Sequence, residues 1–284
     1  MIPLPLSKIA PAPDLRHMAL QALCTSNFEQ KVAIALVLKG DVASVFVADA
    51  EIQALLKQLP GRPERPVLTH PAKVPRRSPR LLDGRAALIH AIAHIEFNAI
   101  NLALDAVWRF DHMPQDFYHD WAQVAREEAR HFNLLRQHLQ GMKPEGDTPA
   151  WDYGDFEAHD NLWAMCEQTR HDVVARMALV PRTLEARGLD ATPQIQAKLR
   201  QVGTPDALRA VAILDIILHD EVGHVAIGNY WYRWLCERDA LDPTTHYAAL
   251  ARQHGAPRLK APFNRDARLQ AGFTEEEIDD LSRQ

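Results

Sequence analysis

Apolar residues recur at helical spacing over most of this chain, and stretches rich in proline and glycine separate the segments. Residues 1–14 are Pro-rich and read as extended. Residues 15–38 predict one or two helices with a break near Thr25–Asn27, and a short helix is predicted over 41–58. From Pro60 to Pro79 the chain holds six prolines and few apolar residues, which excludes a helix. Four long helical stretches follow, over 83–110, 114–140, 156–187 and 204–239. The first starts with Asp83 as its N-cap. The second has Pro114 in its first turn and Gly141 at its end, and the third ends before Gly188. The fourth opens on Thr204-Pro205-Asp206, which reads as cap, first position and acidic first turn. Residues 141–155 form one linker and 188–203 a second, with a short helix over 193–201. The tail, 243–284, reads as short helices.

The expected class is therefore all-α: a four-helix bundle over 83–240, a helical and Pro/Arg-rich extension over 1–82 packed on it, and a tail over 241–284. Plentiful Ala and Leu with only 12 glycines support the helical reading. A net charge of −5 excludes a polyanion-binding protein of the globally basic kind. Cys24, Cys166 and Cys236 are widely spaced, odd in number and form no CxxC, so a disulfide framework is not expected. The N-terminus carries prolines in place of an apolar leader, and no uninterrupted apolar run reaches a membrane span. A cytoplasmic protein without a membrane partner is expected.

The candidate chemistry lies in a doubled pattern, Glu-x-x-His, at Glu128–His131 and Glu221–His224. Residues three apart share a helix face, so each pattern sets a carboxylate beside an imidazole. Two such helices, with one Glu from each of two others, make the ligand set of a carboxylate-bridged dinuclear metal site. Helical angle separates a surface acid from a core acid. With Glu96 as zero and about 100° per residue, Ile89, Ile92, Ile100, Ala103 and Val107 fall within about 40° of it. Glu96 thus sits in an apolar stripe, where a lone carboxylate is costly to bury and a metal removes the penalty. Trp121, Val124, Phe132 and Leu135 lie on the side of Glu128. Leu214, Ile217, Val225 and Gly228 lie on the side of Glu221. On the third stretch Glu185 shares its side with Val174, Ala178 and Pro181. Pro181, four residues earlier, distorts the helix there, and Glu167 and Glu157 are the alternatives. The expected metal ligands are Glu96, Glu128, His131, Glu185, Glu221 and His224.

An acid precedes each Glu of the doubled pattern. Asp220 lies four residues before His224, and Glu127 four before His131. A metal-bound histidine donates its other N–H to a carboxylate or carbonyl, and these acids are candidates for that role. The other histidines, His90 and His94 among them, take surface or capping roles by default. The aromatic residues Tyr230, Trp231, Tyr232, Trp234 and Trp121 take packing roles. Between Gly61 and Arg85 seven Lys and Arg stand against Glu64 and Asp83. This stretch reads as a solvated arm over the domain, or as a local phosphate-binding patch.

Carboxylate and imidazole donors suit iron or manganese, and the lack of a Cys ligand argues against structural zinc. Two Fe ions, with Mn as the alternative, are the expected cofactor, and O2 or peroxide with a small-molecule substrate the expected partners. The stretches RAALIHAIAHIE (85–96), DWAQVAREEARHF (120–132), YGDFEAHDNLW (153–163), RMALVPRTLEARGLD (176–190) and DEVGHVAIGNYWY (220–232) resemble a ferritin-like family known as domain of unknown function 455. The resemblance covers roughly residues 15–255. It implies a ferritin-like bundle, favours Glu185 over Glu167, and places Arg182 and Arg187 where they could contact substrate or steady the acids. It implies no substrate. An O2-dependent di-iron oxidase or monooxygenase leads. Its rivals are an iron-handling ferroxidase or storage protein, a manganese catalase-like peroxide scavenger, and a tRNA-modifying hydroxylase. The extensions on both sides of the bundle argue against a storage cage. Only residues 62–85 favour nucleic acid, and the overall acidity counts against it.

Overall fold

Helix α1 (Leu15–Cys24) and helix α2 (Phe28–Leu36) flank the expected break at Thr25–Asn27. Asp14 and Asn27 cap them, the Asn27 side chain accepting from Gln30 N at 2.9 Å. The computed structural model describes residues 14–42, 56, 59–144, 146 and 148–283. The helix expected over 41–58 and the extended segment over 1–14 therefore lie almost wholly outside the described residues. Residues 59–81 run without a helix except for one tight turn, Pro71–Lys73.

Helix α3 (Leu82–Arg109) begins differently from the expectation. Leu81, not Asp83, is the N-cap residue, and no side chain caps the helix; Asp83 lies in the first turn. Arg85 fastens this end instead. Its guanidinium donates to Pro79 O at 3.2 Å and to Arg80 O at 3.1 Å, and pairs with Asp206 at the start of the last long helix. Gly84 lets the arm cross closely, since a Cβ there would meet Ser78 O at 1.9 Å.

Helix α4 (Gln115–Gly141) starts just after Pro114 and includes Gly141. The third stretch is broken where one helix over 156–187 was expected. Helix α5 (Asn161–Gln168) stops, and helix α6 (Val173–Leu179) restarts on Asp172, whose Oδ1 accepts from Val174 N at 2.8 Å and Ala175 N at 3.0 Å. A π-helical turn (Val180–Glu185) follows at Pro181, and helix α7 (Ala186–Val202) then runs on through Gly188 and Pro193. The expected linker over 188–203 is thus helical. Proline removes a donor and so frees the carbonyl four residues back. Here that carbonyl, Leu189 O, accepts from Asn264 Nδ2 at 3.2 Å. A distant segment therefore satisfies the group that the sequence pattern left open.

Helix α8 (Pro205–Arg238) follows Thr204 as read, and α9 (Pro243–Gln253), α10 (Arg265–Gln270) and α11 (Glu275–Arg283) make up the tail. The fold is all-α, with no strand among the described residues. Helix α3 packs along α4 and α1. Helix α4 also meets α2 and α8, and α8 meets α6, the π turn, α7 and α9. One continuous apolar core runs from Leu15 to Leu250. A smaller one, with Val225, Phe273 and Ile278, fixes the tail to α7 and α8. Helix α3 is long and apolar enough to cross a membrane by composition, but its most apolar window is 78 % buried by its neighbours, as in a core helix.

Buried cations hold the N-terminal helices to α3. Arg16 donates to Trp108 O at 2.6 Å, and Lys31 donates to Gly61 O at 2.7 Å and Asn101 Oδ1 at 2.6 Å. Burial pushes the Lys31 amine down to about 7. The basic arm is engaged with the protein's own groups: Arg62 pairs with Asp160, Arg65 with Asp155, Arg85 with Asp206, and Arg77 lies over the Phe156 ring. His90 and His94 depart from the surface role, being buried under residues 151–156. Gly154 N donates to His90 Nε2 at 2.9 Å, and His94 Nδ1 lies 2.8 Å from the Tyr153 hydroxyl.

Candidate metal centre

Glu96 on α3, Glu128 and His131 on α4, and Glu221 on α8 each offer a ligand atom, and these atoms all lie within 4.8 Å of one another. Glu96, Glu128 and His131 are buried, Glu128 completely. His131 Nδ1 is 3.2 Å from Glu96 Oε2 and 3.4 Å from Glu128 Oε2. His224 Nδ1 is 2.8 Å from Glu128 Oε1 and 3.6 Å from Glu221 Oε1. Glu128 therefore stands between the two imidazoles, one oxygen toward each. The 2.8 Å approach is not a hydrogen bond in its angles, and Glu128 Oε1 and His224 Nδ1 have no hydrogen-bond partner among the described residues. Two lone pairs aimed at a shared cation approach in this way.

Glu185, on the π turn, feels the charges of the same cluster. Both its carboxylate oxygens are sealed from water and lack a hydrogen-bond partner among the described residues. Burial, then the charges of Glu221 and Glu128, push its carboxyl well above the ordinary range. The alternatives point elsewhere: Glu167 pairs with Arg170 near the surface, and Glu157 is exposed. Arg187 is exposed as well.

The acids before the doubled pattern do approach the histidines, but crossed. Asp220 was read as the partner of His224 and Glu127 as that of His131. Instead His131 Nε2 donates to Asp220 Oδ2 at 3.0 Å, and His224 Nε2 donates to Glu127 Oε2 at 2.8 Å. The reason is helix pairing. Helices α4 and α8 run antiparallel, as the third contact in the series, Trp231 Nε1 to Asp120 Oδ2 at 2.9 Å, also shows. Each imidazole turns Nδ1 into the cluster, so its Nε2 edge reaches the facing helix and not its own. The outer acid holds a proton on Nε2 and leaves Nδ1 for the cluster. A double-mutant cycle on metal affinity should couple Asp220→Asn with His131→Ala and not with His224→Ala. Asp220→Asn alone should weaken metal binding by about 10–100-fold. Coupling to His224 would contradict the crossed arrangement.

The field of the cluster is strongly negative. Burial, followed by the charge of Glu128, pushes Glu96 up to about 7. Burial alone would lower His131, but hydrogen bonds to Glu128 and Glu96 outweigh it and raise the ring to about 11. His224 is raised well above its ordinary value against burial, by the Glu128 charge and the Glu127 hydrogen bond. A field that draws protons onto both imidazoles draws metal cations equally.

The approach of the π turn depends on Gly228 of α8. A Cβ there would lie 2.4 Å from Pro181 Cβ and 2.6 Å from its Cγ. The sequence pattern placed Gly228 on the side of Glu221 without showing this contact. Helix propensity alone would make Gly228→Ala stabilising by about 1 kcal/mol. Overpacking against a rigid ring costs about 1–3 kcal/mol and displaces the turn. A net loss of stability in denaturant unfolding, with weaker metal binding, is expected; a gain in stability would show that the close packing is not needed.

Fold and site define an all-α protein with a buried carboxylate and histidine cluster able to hold metal. Comparison with known sequences goes one step further. The profile of the family described as "Protein of unknown function (DUF455)" matches residues 22–279, and the chain belongs to that family. A Haemophilus influenzae relative, described as "Uncharacterized protein", is 50 % identical over 224 residues, which cover 76 % of this chain and 74 % of the relative. No solved structure matches the chain significantly.

Proposed function

We propose that this chain is a ferritin-like di-iron carboxylate protein, acting as an O2-dependent oxidase or monooxygenase on a small organic molecule. Helix α3, helix α4, the α6–α7 segment and helix α8 are read as the four helices of the bundle. The observation that supports the reading is the convergence of Glu96, Glu128, His131 and Glu221 within 4.8 Å, with His224 against Glu128 and Glu221 and with the Glu185 oxygens and the Glu128–His224 contact left without hydrogen bonds among the described residues. Two divalent cations balance four carboxylates, and the oxygen and nitrogen donors suit iron, with manganese as the alternative. Glu96, Glu128 and His131 would hold one ion, and Glu128, Glu185, Glu221 and His224 the other.

The bound pair would supply electrons to O2 or peroxide. The chain's own residues have three tasks. Glu128 ties the two half-sites together. Asp220 and Glu127 fix the proton on the outer nitrogen of each imidazole, so the rings keep one orientation. The apolar side chains around the cluster, Ile92, Ile100, Phe132 and Ile217 among them, exclude water. A cytoplasmic location belongs to the same proposal, and among the described residues no disulfide joins the three cysteines.

Protein produced with iron in the medium should contain close to two metal ions per chain by elemental analysis, with iron predominant. One metal per chain, or zinc alone, rejects the di-iron reading. Manganese at two per chain with rapid peroxide dismutation moves the activity to a catalase-like one.

A further inference from the structure

Helix α8 is apolar on two opposite faces. One is its core face, with Leu214, Ile217 and Val225. The other lies opposite Glu221. At about 100° per residue, Ala212, Ile216, His219, Gly223, Ala226 and Tyr230 all fall within about 40° of that direction. No Asp, Glu, Lys or Arg enters this sector from Leu208 to Trp234. Ile216 is 49 % and Tyr230 58 % exposed, and Ala212, His219 and Gly223 are exposed as well. Of the flanking charges, Asp215 accepts from Gln196 at 2.7 Å, Asp220 accepts from His131, and Arg233 donates to Glu277 at 3.0 Å. A helix apolar all round is ordinarily a buried one, yet the described residues leave this face open. Gly223 adds an independent sign. Glycine weakens a helix interior, so its place there calls for a contact that needs the room. At Gly228 that contact is Pro181, but a Cβ at Gly223 would meet nothing within 4 Å. No described residue uses the space at Gly223.

We propose that this face pairs with the same face of a second copy of the chain, the two α8 helices running antiparallel about a two-fold axis level with residue 221. The intervals from Ala212 to Tyr230 are 4, 3, 4, 3 and 4 residues, the spacing of a two-helix seam. Antiparallel pairing about that level sets Ile216 against the partner's Ala226, His219 against the partner's Gly223, and Tyr230 against the partner's Ala212. Each layer joins a large side chain to a small one, as interdigitating packing requires. The match is reciprocal, which an isologous contact demands and a contact with an unrelated protein does not. Parallel pairing would set glycine on glycine and tyrosine on tyrosine, leaving one layer hollow and another overfilled. No like charges meet at the axis, since the sector holds none. From Leu208 to Trp234 the face is about 39 Å long and one helix wide, on the order of 400 Å². That is about half of what a standard interface takes from each partner, so a reversible, micromolar dimer is expected. The contact stands independently of the metal reading, because the seam lies on the side of α8 turned away from Glu221.

Sedimentation velocity on the full chain, from about 1 to about 500 µM, tests the pairing. The parent should pass from monomer to dimer over that range. Ile216→Glu and, separately, Ala226→Lys place an unmatched charge in the seam and should weaken the dimer by about tenfold or more. Helicity by circular dichroism and metal content should not change. An equimolar mixture of the two variants should dimerise again. Its heterodimer sets one introduced charge against the other at one crossing and keeps Ile216 against the partner's Ala226 at the second. A parent that is monomeric at every concentration overturns the proposal and assigns the face to a different partner. A dimer that survives both substitutions overturns it as well. A mixture no more dimeric than its components rejects the antiparallel register, and the pairing with it.

Discussion

Glu128→Gln should reduce bound metal from about two ions per chain to none, while leaving a folded, helical protein. Glu128 faces both imidazoles at short range, through Oε2 toward His131 at 3.4 Å and Oε1 toward His224 at 2.8 Å. Removing its charge therefore damages both half-sites together, where Glu96→Gln should weaken chiefly the His131 side. Gln is close in shape, so this fully buried position stays filled without a cavity. The charge argument gives a second signature. Without metal, Glu128 is the counter-charge of two raised imidazoles, so the chelator-treated Glu128→Gln protein should melt lower than the chelator-treated parent. Metal addition should raise the melting temperature of the parent only, because a ligand stabilises a fold in proportion to its binding. Elemental analysis and thermal melts with and without metal read both effects. A Glu128→Gln protein that keeps two metals would remove Glu128 from the ligand set.

Arg176→Leu should be the most destabilising single change away from the cluster, costing about 3–5 kcal/mol. Arg176 is almost wholly buried on α6 and pairs with the fully buried Asp105 of α3. It also donates through Nε to Thr169 Oγ1 at 2.8 Å and through Nη2 to Cys166 O at 2.6 Å. Its loss strands buried acceptors on two elements, although Arg109, 2.9 Å from both Asp105 oxygens, still offsets part of that charge. For a chain of this size the melting temperature should fall by about 10 °C. Arg176→Leu with Asp105→Leu should recover most of the loss, because the stranded charge is then gone. Burial would raise the Asp105 carboxyl, but the charges of Arg176 and Arg109 hold it below its ordinary range. A depressed carboxyl contributes stability above its unfolded value, about 3.9, and loses that contribution as the pH falls toward the folded value. Arg176→Leu should therefore flatten the acid limb of stability against pH; an unchanged limb would contradict this account. The pair also bears on the site, since α6 leads directly into the turn that carries Glu185.

The elements that the sequence predicted well share one property: both their ends and their faces are written locally. The break at Thr25–Asn27, the start at Thr204-Pro205-Asp206 and the apolar stripe around Glu96 depend on residues within one or two turns. The third helical stretch was misread where local signals conflict with distant partners. Asp172 before an apolar run was a legible cap signal that the continuous reading over 156–187 passed over. Nothing local shows that helix survives at Pro193, because the group that compensates, Asn264, lies in the tail.

The sequence by itself determined the helical class, the doubled Glu-x-x-His, and the burial of Glu96 and Glu128, though Glu221 is only partly buried, since periodicity reports which face each residue takes. It also named Asp220 and Glu127 as the acids that approach the histidines, and Pro181 as a point of distortion. Only the tertiary structure decided that these acids cross to the opposite helix, that Gly228 admits Pro181, and that the distortion is a π turn carrying Glu185. Spacing along one helix fixes angles about that helix alone. The rotation, sense and distance of its neighbours come from packing, and the pairing of one side chain with another depends on all three.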